Sequence, residues 1–304
     1  MLFKIKTLKL KQLKIMAILL SFSSINSLFL PTTQAQSLST TSSVKTNILS
    51  LDKIAQNQNL NPNFERHFKD LKIEGSIIIY DLNQNRFYEY NPTRNQTQFL
   101  PASTFKILNS LIALETQAIT DEKTILPWDG TQHSIAGWNQ DLNLREAFKV
   151  SAVWFYQILA RRVGYEQMKY WVTQAKYGNQ MIGKPEEIDQ FWLRGELRIT
   201  PQEQIQFLRR FYNNELPFSQ RSISIVQDIM IFEKTPNYII RAKTGLDSKK
   251  TPNIGWYVGY LEQNQNVYFF ATNIDIHKPE DASARQKLTR LCLQDLSLAL
   301  ETEP

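Results

Sequence analysis

The sequence predicts an α+β fold, in which an antiparallel sheet is flanked by N- and C-terminal helices and receives an inserted helical lobe. Strand character occurs near residue 75 and again only after residue 238. The later strands form a meander with short polar connections, which is typical of antiparallel pairing. The stretch between them, from about 103 to 214, has mostly helical periodicity. Strands split by a helical insertion indicate a layered α+β domain.

The first 35 residues have the pattern of a secretory signal peptide. Five lysines precede an apolar segment from Ile15 to about Leu30, and Thr33-Gln34-Ala35 offers a cleavage site. Four polar residues within the apolar segment leave an uncleaved anchor as the alternative. We therefore expect an exported protein, periplasmic or secreted after removal of residues 1–35.

The segments after the leader differ in composition. Residues 36–59 are rich in Ser, Thr, Gln and Asn and indicate a polar linker, so we expect the folded domain to occupy residues 60–304. The formal net charge is +6, but five lysines of the leader supply most of it, and we expect no nucleic-acid partner. No apolar run after the leader is long enough to span a bilayer. We expect a monomer or a homodimer.

The N-terminal part of the domain predicts a short helix followed by a hairpin. The helix is expected after Asn61-Pro62-Asn63. Residues Gly75 to Tyr80 are β-branched and apolar, and Arg86 to Tyr90 alternate, with a turn between them. The chain then enters a helix that we expect to begin at Ser103.

The middle and the end of the chain predict further helices and the meander. Thr200, Pro201 and Glu203 supply an N-cap, a proline at the first helical position and a capping-box acid for one helix. Other helices are expected at 151–163, 165–176, 219–232 and 280–300, and strands at 238–243, 254–261 and 267–274.

Cysteine and histidine usage disfavours a metal centre. The lone Cys292 lies in an apolar helical pattern and is expected in the core. His67, His133 and His277 are scattered without metal-ligand spacing, so ordinary structural or surface roles are expected for them.

Ser103 and Lys106 form the candidate catalytic pair. Residues three apart on a helix share a face, so the hydroxyl of Ser103 would lie beside the amine of Lys106. The alternative is a capping serine and an exposed lysine beside a core helix. A lysine with an ordinary pKa of about 10.4 becomes a base near neutrality only if its pKa falls by about three units. Burial and the nearby charge of Lys243 would lower it.

The spacing alone does not decide between these readings. Roughly one Ser-x-x-Lys is expected by chance in a chain of this length, and Ser42 to Lys45 in the polar linker is a second match. Lys243-Thr244-Gly245 after a predicted strand is rarer, at about 0.1 per chain. Ser-x-x-Lys with Lys-Thr-Gly is part of the signature of serine β-lactamases and penicillin-binding proteins.

With its other motifs, the sequence resembles the class D serine β-lactamases, the oxacillinases. The resemblance covers most of residues 70 to 290 and implies the serine β-lactamase and penicillin-binding-protein fold. The matching motifs are Ser103-Thr-Phe-Lys106, Ser151-Ala-Val153 in place of Ser-x-Asn, Tyr177-Gly-Asn179, Phe191-Trp-Leu193, Lys243-Thr-Gly245 and Gly255-Trp-Tyr-Val-Gly259.

The resemblance implies hydrolysis of the β-lactam amide through an acyl-enzyme on Ser103. It also implies that carbon dioxide modifies Lys106 to N6-carboxylysine, a carbamate that serves as general base for acylation and deacylation. No other cofactor and no metal are expected. A carbamate needs hydrogen-bond donors, and the family assigns one to the indole at the position of Trp192, for which a core aromatic is the alternative.

The remaining site residues follow from physical chemistry together with the resemblance. Ser151 would relay a proton to the ring nitrogen or serve as a helix N-cap, while Val153 would keep the base dry. The backbone N–H groups of Ser103 and Leu246 would form the oxyanion hole. The substrate carboxylate would meet Lys243, Thr244 and Arg285, although an exposed helical arginine is an alternative for the last, and Gly245 is expected to bind the substrate. Tyr177 to Asn179 would shape the site or form a C-cap turn.

Three alternative functions remain open at this point. A penicillin-binding peptidase or transpeptidase has the same nucleophile, but Val153 occupies its usual Asn position. A β-lactam sensor acylates without efficient turnover, but such sensors have several membrane spans ahead of the domain. A degenerate binding module is disfavoured by the complete set of motifs.

Overall fold

The computed structural model describes residues 62–300. The expected signal peptide (1–35) and linker (36–59) lie outside the described residues. The α-helices are α1 (Glu65–Leu71), α2 (Pro92–Asn95), α3 (Lys106–Glu115), α4 (Leu144–Lys149), α5 (Val153–Val163), α6 (Tyr165–Gln174), α7 (Pro201–Tyr212), α8 (Gln220–Ile229) and α9 (Ala284–Gln294). Short 3₁₀ helices cover Ala102–Phe105, Ala136–Trp138, Pro185–Glu187 and Pro279–Ser283.

Six antiparallel strands form one sheet, which confirms the predicted α+β class. They are β1 (Gly75–Asp81), β2 (Arg86–Tyr90), β3 (Ile231–Lys234), β4 (Tyr238–Asp247), β5 (Asn253–Gln263) and β6 (Asn266–Ile276). Their spatial order is β2-β1-β6-β5-β4-β3. Strand β1, from the start of the domain, therefore pairs with β6 from its end, and the helical insertion separates them only in sequence.

Both faces of the sheet are covered by helices. Ile77 and Ile79 of β1 belong to the core shared with the terminal helices α1 and α9. Ile78 and Tyr80 point to the other face, where the inserted helices pack. A strand buried on both faces has no polar alternation, which explains the run of consecutive apolar residues in β1.

Several element boundaries differ from the sequence prediction. The helix expected to continue to residue 232 ends at Ile229, and β3 follows it as an edge strand paired with β4. The closing helix ends at Gln294 instead of about residue 300. By contrast, α7 begins as predicted. The Thr200 hydroxyl accepts a hydrogen bond from the backbone N–H of Glu203, and the Glu203 carboxylate accepts one from the backbone N–H of Thr200.

The predicted core position of Cys292 is confirmed, because this residue is fully buried in α9. Between residues 62 and 300, no helix has the length and hydropathy needed to cross a membrane.

Candidate active site

Ser103 lies on a 3₁₀ turn and not at the start of an α-helix. The turn spans Ala102–Phe105, and α3 continues from Lys106. Ala102 adopts a left-handed conformation with φ +48°, which is unfavourable for a residue with a Cβ atom. Its N–H donates a 3.0 Å hydrogen bond to the carbonyl of Trp192. The surrounding structure therefore holds the nucleophile turn, Leu100 to Thr104, in a strained conformation.

Lys106 is fully buried beside Ser103. The Nζ atom of Lys106 lies 2.6 Å from the Oγ atom of Ser103. Burial lowers the pKa of Lys106 well below its usual value, and the charge of Lys243 lowers it further. Burial and the charge of Lys243 are the two causes predicted from the sequence. The lowered pKa favours the neutral amine, which can accept a proton or act as a nucleophile.

Lys243 is a second buried lysine, held on β4. Its Nζ atom donates to the carbonyl of Thr244 at 3.1 Å and lies 5.5 Å from the centre of the Phe148 ring. Burial, with a further contribution from the charge of Arg285, lowers the pKa of Lys243 to about 7. Protonation of Lys243 in the free enzyme therefore changes near neutral pH.

Arg285 is a further basic side chain near Lys243, and it comes from the C-terminal helix. It lies in the first turn of α9, and its Nη1 atom donates a 2.9 Å hydrogen bond to the carbonyl of Gly245. Burial lowers its pKa. The alternative of an exposed helical arginine is therefore wrong, because the side chain is mostly buried against β4.

Ser151 precedes α5 and does not cap it. The helix begins at Val153, with Ala152 as the capping residue and no side-chain cap. The N-cap alternative and the predicted helix start at Ser151 are both wrong, because Ser151 adopts a left-handed conformation with φ +58°. Its buried Oγ atom has no hydrogen-bond partner among the described residues. The hydroxyl thus remains available for a ligand in the site.

Trp192 is fully buried behind the nucleophile turn. Its ring stacks on Phe105 at 5.5 Å and meets Phe191 edge-on at 5.1 Å. Trp192 is therefore a core aromatic, as the alternative proposed. Its indole Nε1 atom, however, is buried without a hydrogen-bond partner in the described part of the chain. A buried donor without a partner costs free energy, so the arrangement suits an anion bound at this point.

A cleft of about 440 Å³ lies at this site, and Lys106, Trp192 and Lys243 are not among the residues that line it. Its walls include seven predicted site residues: Ser103, Ser151, Val153, Thr244, Gly245, Leu246 and Arg285. Ile135, Trp138, Val150, Leu193, Ser248 and Lys249 complete the lining. The volume is typical of a small-molecule site. A larger cleft of about 690 Å³ is lined mainly by the β1–β2, β3–β4 and β5–β6 turns and includes neither residue of the catalytic pair.

Comparisons with known proteins show the family of this chain. A family model described as the penicillin binding protein transpeptidase domain matches residues 55–294. The chain is 40% identical over 247 residues to the β-lactamase OXA-48 of Klebsiella pneumoniae, which covers 81% of this chain and 92% of that protein. The chain belongs to the class D β-lactamase family. It is thus an enzyme of the serine β-lactamase type.

Solved structures of other class D β-lactamases share its fold. The class D β-lactamase YbXI from Nostoc matches with a TM-score of 0.78 and 58% identity, covering 79% of this chain and 100% of that one. The class D β-lactamase from Sebaldella termitidis matches with a TM-score of 0.75 and 41% identity, covering 79% and 98%. These matches confirm the serine β-lactamase and penicillin-binding-protein fold.

The Tyr-Gly-Asn motif of this class D β-lactamase forms the expected turn at a helix end. The N–H of Tyr177 bonds back to the carbonyl of Val172, which closes a turn at the end of α6. Asn179 accepts hydrogen bonds from the N–H groups of Met181 and Arg198 and donates to Glu196. The motif thus joins the end of α6 to the segment that follows Trp192.

Tyr156 and Ser110 are neighbours of the site that no motif in the sequence indicates. Tyr156 lies beneath Lys106, with its ring centre 5.3 Å from the Nζ atom, and its hydroxyl is 2.9 Å from the hydroxyl of Ser110. The only sequence signal for Tyr156 is its position on the buried stripe of α5.

The histidines also behave partly as expected. His67 pairs with Asp295. His277, for which an ordinary structural or surface role is expected, lies near Glu74 and Asp275, and the potential ligand atoms of the three residues are within 4.8 Å of one another. Asp275 already accepts two hydrogen bonds from Arg94, so the guanidinium balances its charge.

Proposed function

We propose that this enzyme hydrolyses the β-lactam amide of penicillin-type antibiotics through an acyl-enzyme on Ser103. The observation that carries the proposal is the 2.6 Å approach of Ser103 Oγ to the buried Lys106 Nζ at the base of the cleft. The hydroxyl attacks the lactam carbonyl, and the ring C–N bond breaks as the ring nitrogen gains a proton. Attack of water on the resulting ester then releases the product and restores Ser103.

The state of Lys106 is part of the proposal. A neutral, buried amine reacts with carbon dioxide, forming an N–C bond and losing a proton, to give N6-carboxylysine. The resulting carbamate would supply the general base for acylation and deacylation. Support comes from two buried donors without partners in the described chain, the Nε1 atom of Trp192 and the Oγ atom of Ser151. Both are groups that an anion would satisfy.

The oxyanion of the tetrahedral intermediate would bind to the N–H groups of Ser103 and Leu246. Ser103 is the second residue of its 3₁₀ helix, where the backbone N–H has no acceptor within the helix. Leu246 lies on β4 and lines the same cleft. Loss of one such donor typically costs roughly 2.7–4 kcal/mol of transition-state stabilisation.

The substrate carboxylate would bind at the cationic end of the cleft. Thr244 and Arg285 line the cleft there, and Lys243 lies directly behind Thr244. Ser151 would pass a proton to the ring nitrogen, and Val153 would keep water away from the base. Gly245 lets β4 approach the nucleophile turn, since an added Cβ atom would lie 3.1–3.2 Å from atoms of that turn.

We also propose export to the periplasm or the surroundings, because the substrates would be met outside the cytoplasm. This proposal depends on the basic and apolar pattern of residues 1–35.

The proposed function is tested with the purified protein and a chromogenic cephalosporin, with and without added bicarbonate. We expect turnover that bicarbonate increases, no turnover for Ser103→Ala, and no bicarbonate response for Lys106→Ala. A stable adduct on Ser103 without turnover at saturating bicarbonate would instead identify a sensor or a penicillin-binding protein. A bicarbonate response that persists in Lys106→Ala would contradict the carbamate.

A further inference from the structure

A buried polar network lies beneath the nucleophile turn, on the side away from the cleft. Gln204 of α7 is fully buried, and its Nε2 atom donates a 2.9 Å hydrogen bond to the hydroxyl oxygen of Thr104. The same Nε2 atom lies 3.4 Å from the hydroxyl of Tyr177. The hydroxyl of Thr104 donates in turn to the carbonyl of Pro101 at 2.7 Å. A side chain of α7 thus holds the turn through the residue that follows Ser103.

The same turn packs directly on β4. A Cβ atom added to Gly245 would lie 3.1 Å from Thr104 Cγ2 and 3.2 Å from the Pro101 carbonyl oxygen. Gly245 precedes Leu246, the second proposed oxyanion donor. The contact between Thr104 and Gly245 therefore determines how closely the N–H of Ser103 approaches the strand that carries the N–H of Leu246.

The network does not serve stability well. The Oε1 atom of Gln204 is buried and has no hydrogen-bond partner among residues 62–300. A buried acceptor without a partner lowers folding stability, and a leucine of similar volume would remove this cost. The left-handed Ala102 in the same turn persists only if its surroundings fix it. An amide retained at a cost in stability points to a role in geometry.

We propose that Gln204 is a positioning residue, which through Thr104 sets the position of Ser103 relative to Leu246 and Lys106. It touches neither substrate nor reacting atoms. The proposal rests on the proposed function, because it assumes that Ser103 is the nucleophile and that the two N–H groups form the oxyanion hole. Since a displacement of about 1 Å at a catalytic group can cost up to 100-fold in rate, removal of the Gln204 amide should slow acylation.

The experiment compares the full-length protein with Gln204→Leu, Thr104→Val and Thr104→Ser. Gln206→Leu is the matched control, because Gln206 is an exposed glutamine on the same helix. Titration with a serine-directed inactivator that stays bound to Ser103 gives the fraction of active sites, and rapid mixing with a chromogenic cephalosporin gives the acylation rate per titrated site. A purely structural role changes the titrated fraction or the thermal midpoint, but not the rate per titrated site.

We expect Gln204→Leu and Thr104→Val to titrate fully and to acylate about tenfold to 100-fold more slowly per site. The variant that combines Gln204→Leu with Thr104→Val should be no slower than Thr104→Val alone, because Thr104→Val already removes the hydrogen bond from Gln204. Thr104→Ser keeps the hydroxyl and should retain most of the rate, and Gln206→Leu should match the parent.

A parent-like rate per site in either variant would overturn the proposal: in Gln204→Leu because the amide then positions nothing, and in Thr104→Val because the amide then does not act through Thr104. If Gln204→Leu does not fold, the comparison of Thr104→Val with Thr104→Ser decides by the same measurement. Ser103→Ala separates this proposal from the proposed function. Turnover by Ser103→Ala would refute the proposed function, whereas an inactive Ser103→Ala with parent-like Gln204→Leu or Thr104→Val would refute only the positioning role.

Discussion

Replacement of Trp192 by phenylalanine should raise the bicarbonate requirement of the enzyme. The change keeps the aromatic packing on Phe105 and Phe191 but removes the buried Nε1 donor. A hydrogen bond from this donor to a charged carbamate is worth about 1.5–3 kcal/mol. We therefore expect the modified form of Lys106 to become roughly 10- to 150-fold harder to populate.

The stability of Trp192→Phe should depend on carbon dioxide in a related way. In buffer free of carbon dioxide, the indole N–H of the parent has no partner, at a cost of about 1–3 kcal/mol that phenylalanine removes. This gain offsets much of the roughly 2 kcal/mol expected for the smaller ring. Added bicarbonate should then stabilise the parent more than the variant, because at a given ligand concentration a tighter ligand stabilises the folded state more.

Two assays test this prediction. The dependence of the turnover rate on bicarbonate concentration gives the apparent affinity, and ¹³C-labelled bicarbonate reports the carbamate directly by NMR. Trp171→Phe is the matched control, since its buried Nε1 atom also has no partner in the described residues but its ring packs on Phe218, outside the cleft lining. If Trp192→Phe keeps the bicarbonate dependence and the NMR signal of the parent, the role of this indole is refuted.

Further predictions concern the cationic end of the cleft and Ser151. Because the pKa of Lys243 is lowered to about 7, its charged form declines as pH rises, and kcat/KM for carboxylate-bearing substrates should fall above about pH 7. Lys243→Arg should remove this decline, because arginine stays charged. A Lys243→Arg variant with the pH profile of the parent would contradict this role of Lys243. Arg285→Ala should raise KM and move the decline to higher pH, because the charge of Arg285 lowers the pKa of Lys243; an unmoved profile would contradict this coupling. Ser151→Ala should slow acylation, measured by rapid mixing, by about 100-fold or more. It should not lower the thermal midpoint, because the buried hydroxyl that it removes has no partner in the described chain. Parent-like acylation would exclude the proton relay.

The sequence predicts those parts of the fold that depend on local rules. The start of α7 follows from Thr200, Pro201 and Glu203, which satisfy the free N–H groups of the first turn within four residues. The strands of the sheet follow from β-branched runs. Strand β3 was missed because Ile231–Lys234 is short and continues an amphipathic helical pattern. Its strand conformation depends on pairing with β4, which is a tertiary contact.

The candidate site is also predictable from the sequence only in part. The motif spacing predicts that Ser103 lies beside Lys106, since both are on one turn of chain. It does not predict the left-handed conformations of Ala102 and Ser151, which are uncommon for residues other than glycine and depend on the surrounding contacts. It also does not predict Gln204, whose partner Thr104 is 100 residues away in the sequence. Long-range polar contacts of this kind leave no periodic signal.

The charges of the site explain why it should bind two anions. Lys106, Lys243 and Arg285 are mostly or fully buried, and among the described ion pairs none joins them to an acid. The lowered pKa of each lysine means that the unfolded chain binds more protons than the folded one over the range between the folded and unfolded values. Folding stability therefore rises with pH through that range, and below it these lysines destabilise the fold. A carbamate on Lys106 and a substrate carboxylate would each place a negative charge near the buried cations of Lys243 and Arg285. If both proposed anions bind, they would offset part of the cost of burying these cations, and the burial that lowers stability would then strengthen binding.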